Sequence, residues 1–294
     1  MTNLKDTILV THMGCMDGSG CAIMFVRAGG LRENIRYCAA GMTERFIKED
    51  LPGLAGKFII FADIGLSGPN QARYADELEK RGDVVLIDHH NTSLGLKDRS
   101  WCTIRMESCG TELLRQYLQL EDESSKALAI LIQDHDLWLG KNPLSMDLAA
   151  FTVFAGQDVF VDRFLDRDVR NGVFNELETE LMKIVTRRRD QFIQILCKKA
   201  FVKDVTYGDK IAKIGYIVSS EMNVSLLLDT LLKQRPEIDI ACQINFDKNS
   251  ASMRSRGYDV SEFAKYFGGG GHVRASGHRL SDQLIKDLVN EIHG

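Results

Sequence analysis

The feature that most constrains the fold is an alternation of short apolar runs and amphipathic stretches near the N-terminus. Apolar runs at 7–10, 58–62 and 84–87 predict strands, and the stretches at 19–28 and 70–80 have helical spacing. Strands that alternate with helices form βαβ units and a parallel sheet. We therefore predict an α/β fold whose first sheet is mainly parallel and flanked by helices.

Imidazole and carboxylate side chains follow the last apolar residue of each of these strands. His12 follows the first strand, Asp63 follows the second, and Asp88 begins an Asp-His-His run after the third. Ligands of open α/β sheets bind beyond the carboxyl ends of the strands, so this placement indicates a site. Asp63 alone could equally be a helix cap or a loop anchor. Two adjacent histidines are harder to explain by core packing, because successive strand residues face opposite sides of a sheet.

Two further clusters in the N-terminal half add candidate ligands. Asp17 lies in HMGCMDGSG (12–20), where a strand should pass into a helix, although a turn with a capping aspartate is also possible. Asp134 and Asp136 end a helical stretch, and they would be ordinary surface acids unless a metal uses one of them. Imidazole and carboxylate groups suit a pair of divalent ions, Mn²⁺ or Mg²⁺. The candidates chosen for this pair are His12, Asp17, Asp63, His89 and Asp134.

A run of four glycines marks the C-terminal part of the chain, in FGGGGHVRASG (267–277). Glycines bury almost nothing and lose the most backbone entropy on ordering, so a packing role is unexpected. We interpret the run as a loop whose N–H groups cradle an anion, with Arg254 and His272 adding charge-assisted hydrogen bonds. A flexible linker is disfavoured, because the run leads into an apolar helix predicted at 282–292.

The pattern divides the 294 residues into two domains. Residues 1–173 are predicted to form the metal-binding domain, and 174–199 a long connecting helix. The strand and helix pattern restarts at 200–294, which predicts a smaller α/β substrate-binding domain. Residues 187–189 are three arginines on the connecting helix. They would support only weak, salt-sensitive nucleic-acid binding, and we interpret them as a solvated face.

Composition narrows the class of protein. The net charge is −4 with no long basic stripe, which argues against binding of long duplex nucleic acid. No apolar run approaches the ~20 residues that cross a membrane, and no signal peptide is recognisable. The seven cysteines are scattered and include no CxxC pair, so a disulfide framework is not expected. We therefore expect a cytoplasmic protein.

Taken in order, five motifs resemble those of the DHH phosphoesterases that carry a DHH-associated substrate domain. They are HxxCxDGxG at 12–20, the single Asp63, DHH at 88–90, DHDLW at 134–138 and RS…GGGGHxxASG at 254–277. The likeness spans both predicted domains. It is greatest to the branch of nanoRNases, oligoribonucleases and linear dinucleotide phosphodiesterases, with RecJ-like exonucleases as larger relatives. It implies a phosphodiesterase that hydrolyses short oligoribonucleotides or linear dinucleotides such as pGpG to mononucleotides through metal-activated hydroxide.

The resemblance also implies individual roles. Asp63 would bridge two divalent cations, with Mn²⁺ as the first choice and Mg²⁺ as the second. His12 would complete one metal site. The other site would be completed by Asp17, His89 and Asp134. Asp88 would orient the site, and His90 would face the scissile phosphate. The residues expected to contact substrate phosphate are Arg254, Ser255, Gly269, Gly270, Gly271 and His272.

One position departs from the commonest family pattern. Cys15 stands where the first of two aspartates usually falls, one residue closer to His12. A thiolate is softer than a carboxylate and would shift preference away from Mg²⁺, unless Cys15 does not coordinate at all.

Further functions stay open at this point. Within the same chemistry, the runner-up substrates are 3′-phosphoadenosine 5′-phosphate and cyclic dinucleotides. A different class is a catalytically weakened, nucleotide-binding regulatory protein. The expected partner is short RNA or a dinucleotide, with neither long duplex nor membrane, and the sequence is compatible with a homodimer.

Overall fold

The computed structural model describes residues 3–39, 41–66, 70–207, 210–267, 269–281 and 286. The chain divides into two compact units, Met1–Thr186 and Arg187–Gly294. No helix in the described ranges is long and apolar enough to cross a membrane. Apart from residue 286, the helix predicted at 282–292 lies outside the described residues.

The first unit is built on a five-stranded sheet. Its strands are β1 (Thr7–His12), β2 (Ile35–Cys38), β3 (Phe58–Ala62), β4 (Val84–Asp88) and β5 (Cys102–Ile104). They lie in the order β2-β1-β3-β4-β5, and every neighbouring pair is parallel. The predicted parallel sheet is therefore confirmed. The prediction included neither β2 nor β5.

Helices cover both faces of this sheet. They are α1 (Met16–Arg27), α2 (Thr43–Glu49), α3 (Gln71–Arg81), α4 (Gly110–Tyr117), α5 (Glu123–Asp136), α6 (Pro143–Ala155) and α7 (Gln157–Phe164). Alternate residues of β3 face opposite sides, as a pleated strand requires. Ile60 and Ala62 join the core formed with α1 and α4 to α7, whereas Ile59 and Phe61 join the core under α2 and α3.

The strand order explains why the polar motifs converge. From β1 the chain passes to β2 on one side and then returns to β3 on the other. Such a reversal leaves a crevice at the carboxyl ends of the strands, where ligands of open α/β sheets bind. His12 ends β1, Asp63 directly follows β3, and Asp88 ends β4. These three motifs therefore meet at one edge of the sheet.

A long helix, α8 (Glu176–Lys198), takes part in both units. Met182 belongs to a hydrophobic core of the first unit, while Ile193 and Leu196 belong to one of the second. The division between the compact units therefore falls inside α8. A connecting helix was predicted for this segment, at 174–199. The predicted limits at 173 and 200 stay a prediction.

The second unit is a six-stranded mixed sheet with helices. Its strands are β6 (Phe201–Tyr207), β7 (Lys210–Val218), β8 (Ile240–Asn245), β9 (Ser250–Ser255), β10 (Gly270–His272) and β11 (Ala275–Arg279). Their order is β10-β11-β9-β8-β7-β6, and only β7 and β8 run parallel among these described strands. The helices are α9 (Val224–Gln234) and α10 (Val260–Tyr266). The expected smaller α/β domain is confirmed.

Candidate metal centre

Asp63 lies at the centre of a buried cluster of possible metal ligands. Its Oδ1 is 3.2 Å from His89 Nε2, and its Oδ2 is 3.3 Å from Cys15 Sγ and 3.9 Å from His12 Nδ1. His89 Nε2 is also 3.5 Å from Asp17 Oδ2. Two sets of ligand atoms that lie within 4.8 Å of one another are His12 with Cys15 and Asp63, and Asp17 with Asp63 and His89. A third set joins Asp63 to the neighbouring Asp88 and His90. Asp63 belongs to all three sets, and a bridging ligand must be shared in this way.

The backbone at Asp63 is held in an unusual conformation. Its φ is 57°, in the left-handed region that costs a non-glycine residue roughly 1–2 kcal/mol. The Asp63 N–H donates to the Ile87 carbonyl at 3.1 Å, which fixes the chain just after β3. Helix α4 begins directly against this point, because a Cβ on Gly110 would lie 2.5 Å from Asp63 Cβ. The strain and the close approach together fix the position of the central carboxylate.

Asp17, in the first turn of α1, is oriented by the start of α4. Its two carboxylate oxygens accept hydrogen bonds from the N–H groups of Gly110 at 2.6 Å and Thr111 at 2.7 Å. Burial pushes the pKa of Asp17 up, but the charge of His89 and the hydrogen bonds from Thr111 outweigh it and bring the pKa below its ordinary value. The prediction missed Gly110 and Thr111. The available signal was a small-residue segment before an apolar helical run, which is typical of a helix start.

The structure does not bring Asp134 to this cluster. Its carboxylate accepts two backbone N–H groups just before α6, at 2.8 and 3.1 Å, and the Ser145 hydroxyl at 2.7 Å. Asp136 Oδ2 instead lies 3.5 Å from His89 Nε2. Contrary to the expected position of Asp134, the fourth-motif carboxylate that lies beside the cluster is therefore that of Asp136. Residues two apart on a helix point about 200° apart around its axis, so only one of them can face the cluster.

Asp88 and His90 form a tight pair beside the cluster. The Asp88 carboxylate is fully buried and lies 2.7 Å from His90 Nδ1, and it also accepts the Ser93 hydroxyl. Burial alone would raise the pKa of Asp88, but the charge and hydrogen bond of His90 lower it to about 2. Burial alone would lower the pKa of His90, but Asp88 raises it to about 9. His90 is therefore held as a cation with a fixed ring orientation.

The electrostatics of the remaining groups fit bound cations. Burial and the neighbouring Asp17 raise the pKa of Asp63 well above its ordinary value. Burial, Asp63 and Asp17 likewise raise the pKa of the Cys15 thiol. Burial and the charge of His90 lower the pKa of His12 to about 4, so His12 is the neutral imidazole that binds metals. A divalent cation would relieve the repulsion between the crowded carboxylates, and the oxygen, nitrogen and sulfur donors suit such an ion.

The predicted phosphate contacts of the second unit are only partly brought together. Arg254 pairs with Ala275, and Ala275 pairs with His272, so the three lie in one row across β9, β11 and β10. Directly paired strand residues share a face, which places Arg254 and His272 on the same side of the sheet. Ser255 faces the other way, and its hydroxyl donates to the Tyr258 carbonyl. That hydroxyl is used within the fold, and Ser255 as a phosphate contact stays a prediction.

Gly269 and Gly271 of the glycine run have a packing role that was not expected from the sequence. Gly270 and Gly271 lie in strand β10 rather than in a loop. A Cβ on Gly269 would lie 2.1 Å from the Gly277 carbonyl oxygen, and one on Gly271 would lie 2.5 Å from that of Ala275. The close approach of β11 therefore requires residues without side chains. Phosphate binding by this strand stays a prediction.

The chain has named relatives, although no family model matches it. The strand order and the cluster at the carboxyl edge of the sheet agree with the resemblance to DHH phosphoesterases seen in the sequence motifs. It is similar to oligoribonuclease NrnB of Bacillus subtilis strain 168, with 24% identity over 298 residues that cover 94% of this chain and 73% of that protein. A 3′,5′-cyclic-nucleotide phosphodiesterase of Helicobacter pylori is 24% identical over 291 residues, which cover 80% and 82%.

Two solved structures share the fold. The pGpG-specific phosphodiesterase PggH of Vibrio cholerae aligns with a TM-score of 0.51 and 13% identity, over 98% of this chain and 99% of that one. The DHH domain of a member of a family of ribosomal proteins aligns with a TM-score of 0.56 and 12% identity, over 98% and 87%. Both alignments run through the two units.

Proposed function

We propose that the chain is a metal-dependent phosphodiesterase that hydrolyses short oligoribonucleotides and linear dinucleotides such as pGpG to mononucleotides. The observation that carries the proposal is that one carboxylate, Asp63, belongs to two sets of ligand atoms that each fit within 4.8 Å. Two cations that share a bridging carboxylate are the arrangement used for displacement at phosphorus. The names of the oligoribonuclease and pGpG phosphodiesterase relatives support the substrate class.

The two cations would be divided between the two sets. One would be held by His12 and Asp63, with Cys15 Sγ within reach, and the other by Asp17, Asp63 and His89 with Asp136 beside it. When bound, divalent cations neutralise phosphate oxygens and lower the pKa of water. Mn²⁺ is the proposed ion, because it accepts mixed imidazole and carboxylate donors more readily than Mg²⁺. The thiol of Cys15 favours a softer ion than Mg²⁺ in the same way.

His90 would supply a proton, and Asp88 would orient the His90 ring. Because Asp88 raises the pKa of His90 to about 9, His90 would carry a proton on both ring nitrogens, and Asp88 holds Nδ1 at 2.7 Å. Its Nε2 proton is therefore offered to the scissile phosphate or to the leaving oxygen, which would carry negative charge in the transition state. Asp88 is a positioning residue, because its carboxylate contacts the His90 ring and the Ser93 hydroxyl.

In the second unit, Arg254 and His272 are the proposed phosphate contacts. Their shared row on one sheet face supports a joint role, since a cation and an imidazole in one row can bind neighbouring oxygens of a phosphate. Contacts from the N–H groups of residues 269–271 belong to the same proposal.

Cyclic dinucleotides are a second candidate substrate, which the cyclic-nucleotide phosphodiesterase relative favours. Neither hydrolysis of 3′-phosphoadenosine 5′-phosphate nor a purely regulatory, nucleotide-binding role has an observation in its favour. All seven cysteines are free thiols, which supports the predicted cytoplasmic location. A homodimer stays a prediction from the sequence.

The test is hydrolysis of pGpG, a short RNA, a cyclic dinucleotide and 3′-phosphoadenosine 5′-phosphate with Mn²⁺ and with EDTA. We expect turnover of pGpG and the short RNA that EDTA abolishes, with two metal ions per chain by elemental analysis. Asp63→Asn should lose both activity and metal, because it weakens a ligand common to both sets. The matched control is Asp158→Asn, because the side chain of Asp158 on α7 is 81% exposed. Intact pGpG and RNA after incubation with the Mn²⁺-loaded protein would reject the proposal.

A further inference from the structure

Trp138 occupies a backbone position where glycine is the usual residue. Helix α5 ends at Asp136, and the Trp138 N–H then donates to the His135 carbonyl at 3.0 Å while the Leu139 N–H donates to the Asp134 carbonyl at 2.8 Å. This pattern of two hydrogen bonds closes many helices and places one residue in the left-handed conformation. Trp138 adopts it, with φ of 55°. Glycine or asparagine would adopt it at lower cost, so the helix end does not explain the indole.

Burial in a core does not explain the indole either. Trp138 is 39% exposed, and neither hydrophobic core of the described part of the first unit includes it. Its ring meets the ring of His135 edge-on, with centroids 5.7 Å apart. Much of a large aromatic surface is therefore open to solvent at a strained position. Strained residues of this kind cluster at functional sites, which makes the outlier a reason to look for a ligand.

Trp138 is close in sequence to the candidate metal centre. Trp138 follows Asp136 by two residues, and Asp136 Oδ2 lies 3.5 Å from His89 Nε2. The Cα atoms of Trp138 and Asp136 are therefore at most about 7.6 Å apart. Met13, which directly follows His12 in the sequence, is also exposed, at 52%. Exposed apolar side chains are thus close in sequence to residues that would hold the cations, and those cations would bind the phosphate.

We propose that Trp138 is a stacking platform for a nucleobase of the substrate, next to the scissile phosphate. The inference rests on the proposed phosphodiesterase function. It adds that Trp138 favours nucleotide substrates over phosphate esters that have no base. Every base has a π face, so stacking on an aromatic ring binds bases with little sequence preference. An exposed indole beside a buried cluster of charged ligands meets the two needs of a nucleotide, a flat apolar surface and a charged phosphate site.

Fluorescence tests base binding without catalysis. The chain has two tryptophans, Trp101 and Trp138, so Trp101→Phe leaves Trp138 as the single indole. We expect saturable quenching by GMP, corrected with free N-acetyltryptophanamide, and no quenching by ribose 5-phosphate. Saturable quenching by GMP would support the platform even if no dinucleotide were cleaved. Absence of saturable quenching, or equal quenching by ribose 5-phosphate, would overturn it.

Kinetics test the role in substrate selection. Trp138→Asn removes the ring while keeping a residue that tolerates positive φ, and Trp138→Phe keeps an aromatic face. We expect Trp138→Asn to lower kcat/KM for pGpG by about tenfold, mainly through KM, with metal content unchanged. Cleavage of a dinucleotide that lacks the base beside the scissile phosphate should change by less than about twofold. Trp138→Phe should restore most of the loss on pGpG.

The matched control is Phe154→Gln, which removes another exposed aromatic ring. Phe154 is 53% exposed. It lies eleven residues after Pro143, the first residue of α6, which is about 17 Å along the helix axis. This variant should leave kcat/KM for pGpG unchanged. If Trp138→Asn lowered kcat/KM equally for pGpG and for the dinucleotide that lacks one base, the proposal would be overturned. Full activity of a Trp138→Asn variant with the same melting curve as the parent would also overturn it. Failure of the parent to cleave any dinucleotide would count against the proposed function instead.

Discussion

Separate replacement of Asp136 and Asp134 by asparagine should distinguish metal binding from folding stability. The two residues lie in the same short motif, and sequence alone favoured Asp134 as the ligand. In the structure, only Asp136 approaches His89, with Oδ2 to Nε2 at 3.5 Å. Asp134 instead binds the start of α6 through three hydrogen bonds. We therefore expect opposite defects from two chemically identical changes.

The size of each defect follows from these contacts. Asp134→Asn keeps one oxygen acceptor and replaces the other by an NH₂ group, so at least one backbone N–H before α6 loses its acceptor. Loss of a part-buried hydrogen bond costs about 0.5–1.5 kcal/mol, and the lost charge at a helix start adds about 0.3–1 kcal/mol. A loss near 2 kcal/mol lowers the Tm of a unit of this size by roughly 4–8 °C. Asp136→Asn removes a candidate metal ligand and should lower metal affinity at least roughly 100-fold.

The assay combines thermal denaturation without metal, elemental analysis and pGpG hydrolysis with Mn²⁺. Asp134→Asn should lower the Tm and keep its metal content and its kcat at a temperature well below the melting transition. Asp136→Asn should keep the metal-free Tm within a degree or two and lose metal and activity. Loss of metal from Asp134→Asn with an unchanged Tm would refute the placement of both carboxylates.

Three further predictions address different parts of the molecule. Cys15→Asp should raise activity with Mg²⁺ relative to Mn²⁺ by about tenfold, because a carboxylate prefers the harder ion, and metal titrations would check the affinities. His90→Gln should lower kcat by roughly 100-fold through loss of a proton donor while metal content stays the same; a change in KM alone would contradict that role. Gly271→Ala should destabilise the second unit in urea denaturation by more than about 1 kcal/mol, because φ is 135° and the added Cβ would meet the Ala275 carbonyl oxygen. Gly257→Ala, where nothing lies within 4 Å, is its control.

The sequence predicted those parts of the fold that are set by local burial. Strands β1, β3 and β4 are covered by helices on both faces, so they appear as continuous apolar runs. Strands β2 and β5 have only four and three residues, too few for a periodic signal. The sequence placed His12, Asp63 and Asp88 at strand ends, and the parallel sheet then brings those ends to one edge.

The parts that sequence could not predict depend on contacts between distant segments. The rotation of α5 about its own axis determines whether Asp134 or Asp136 faces the cluster. That rotation is set by how the helix packs. The support of Asp17 by Gly110 joins residues 93 positions apart in the chain. These features depend on tertiary contacts, which the local spacing of residues does not reveal.

The continuity of α8 affects how the protein can be divided. Met182 fills part of one core and Leu196 part of the other, and one unbroken ladder of backbone hydrogen bonds runs between them. A fragment that ended at residue 173 would leave a hole in the core where Met182 had been, and one that began at residue 200 would lack Leu196. Separate expression of either half therefore needs its own portion of this helix.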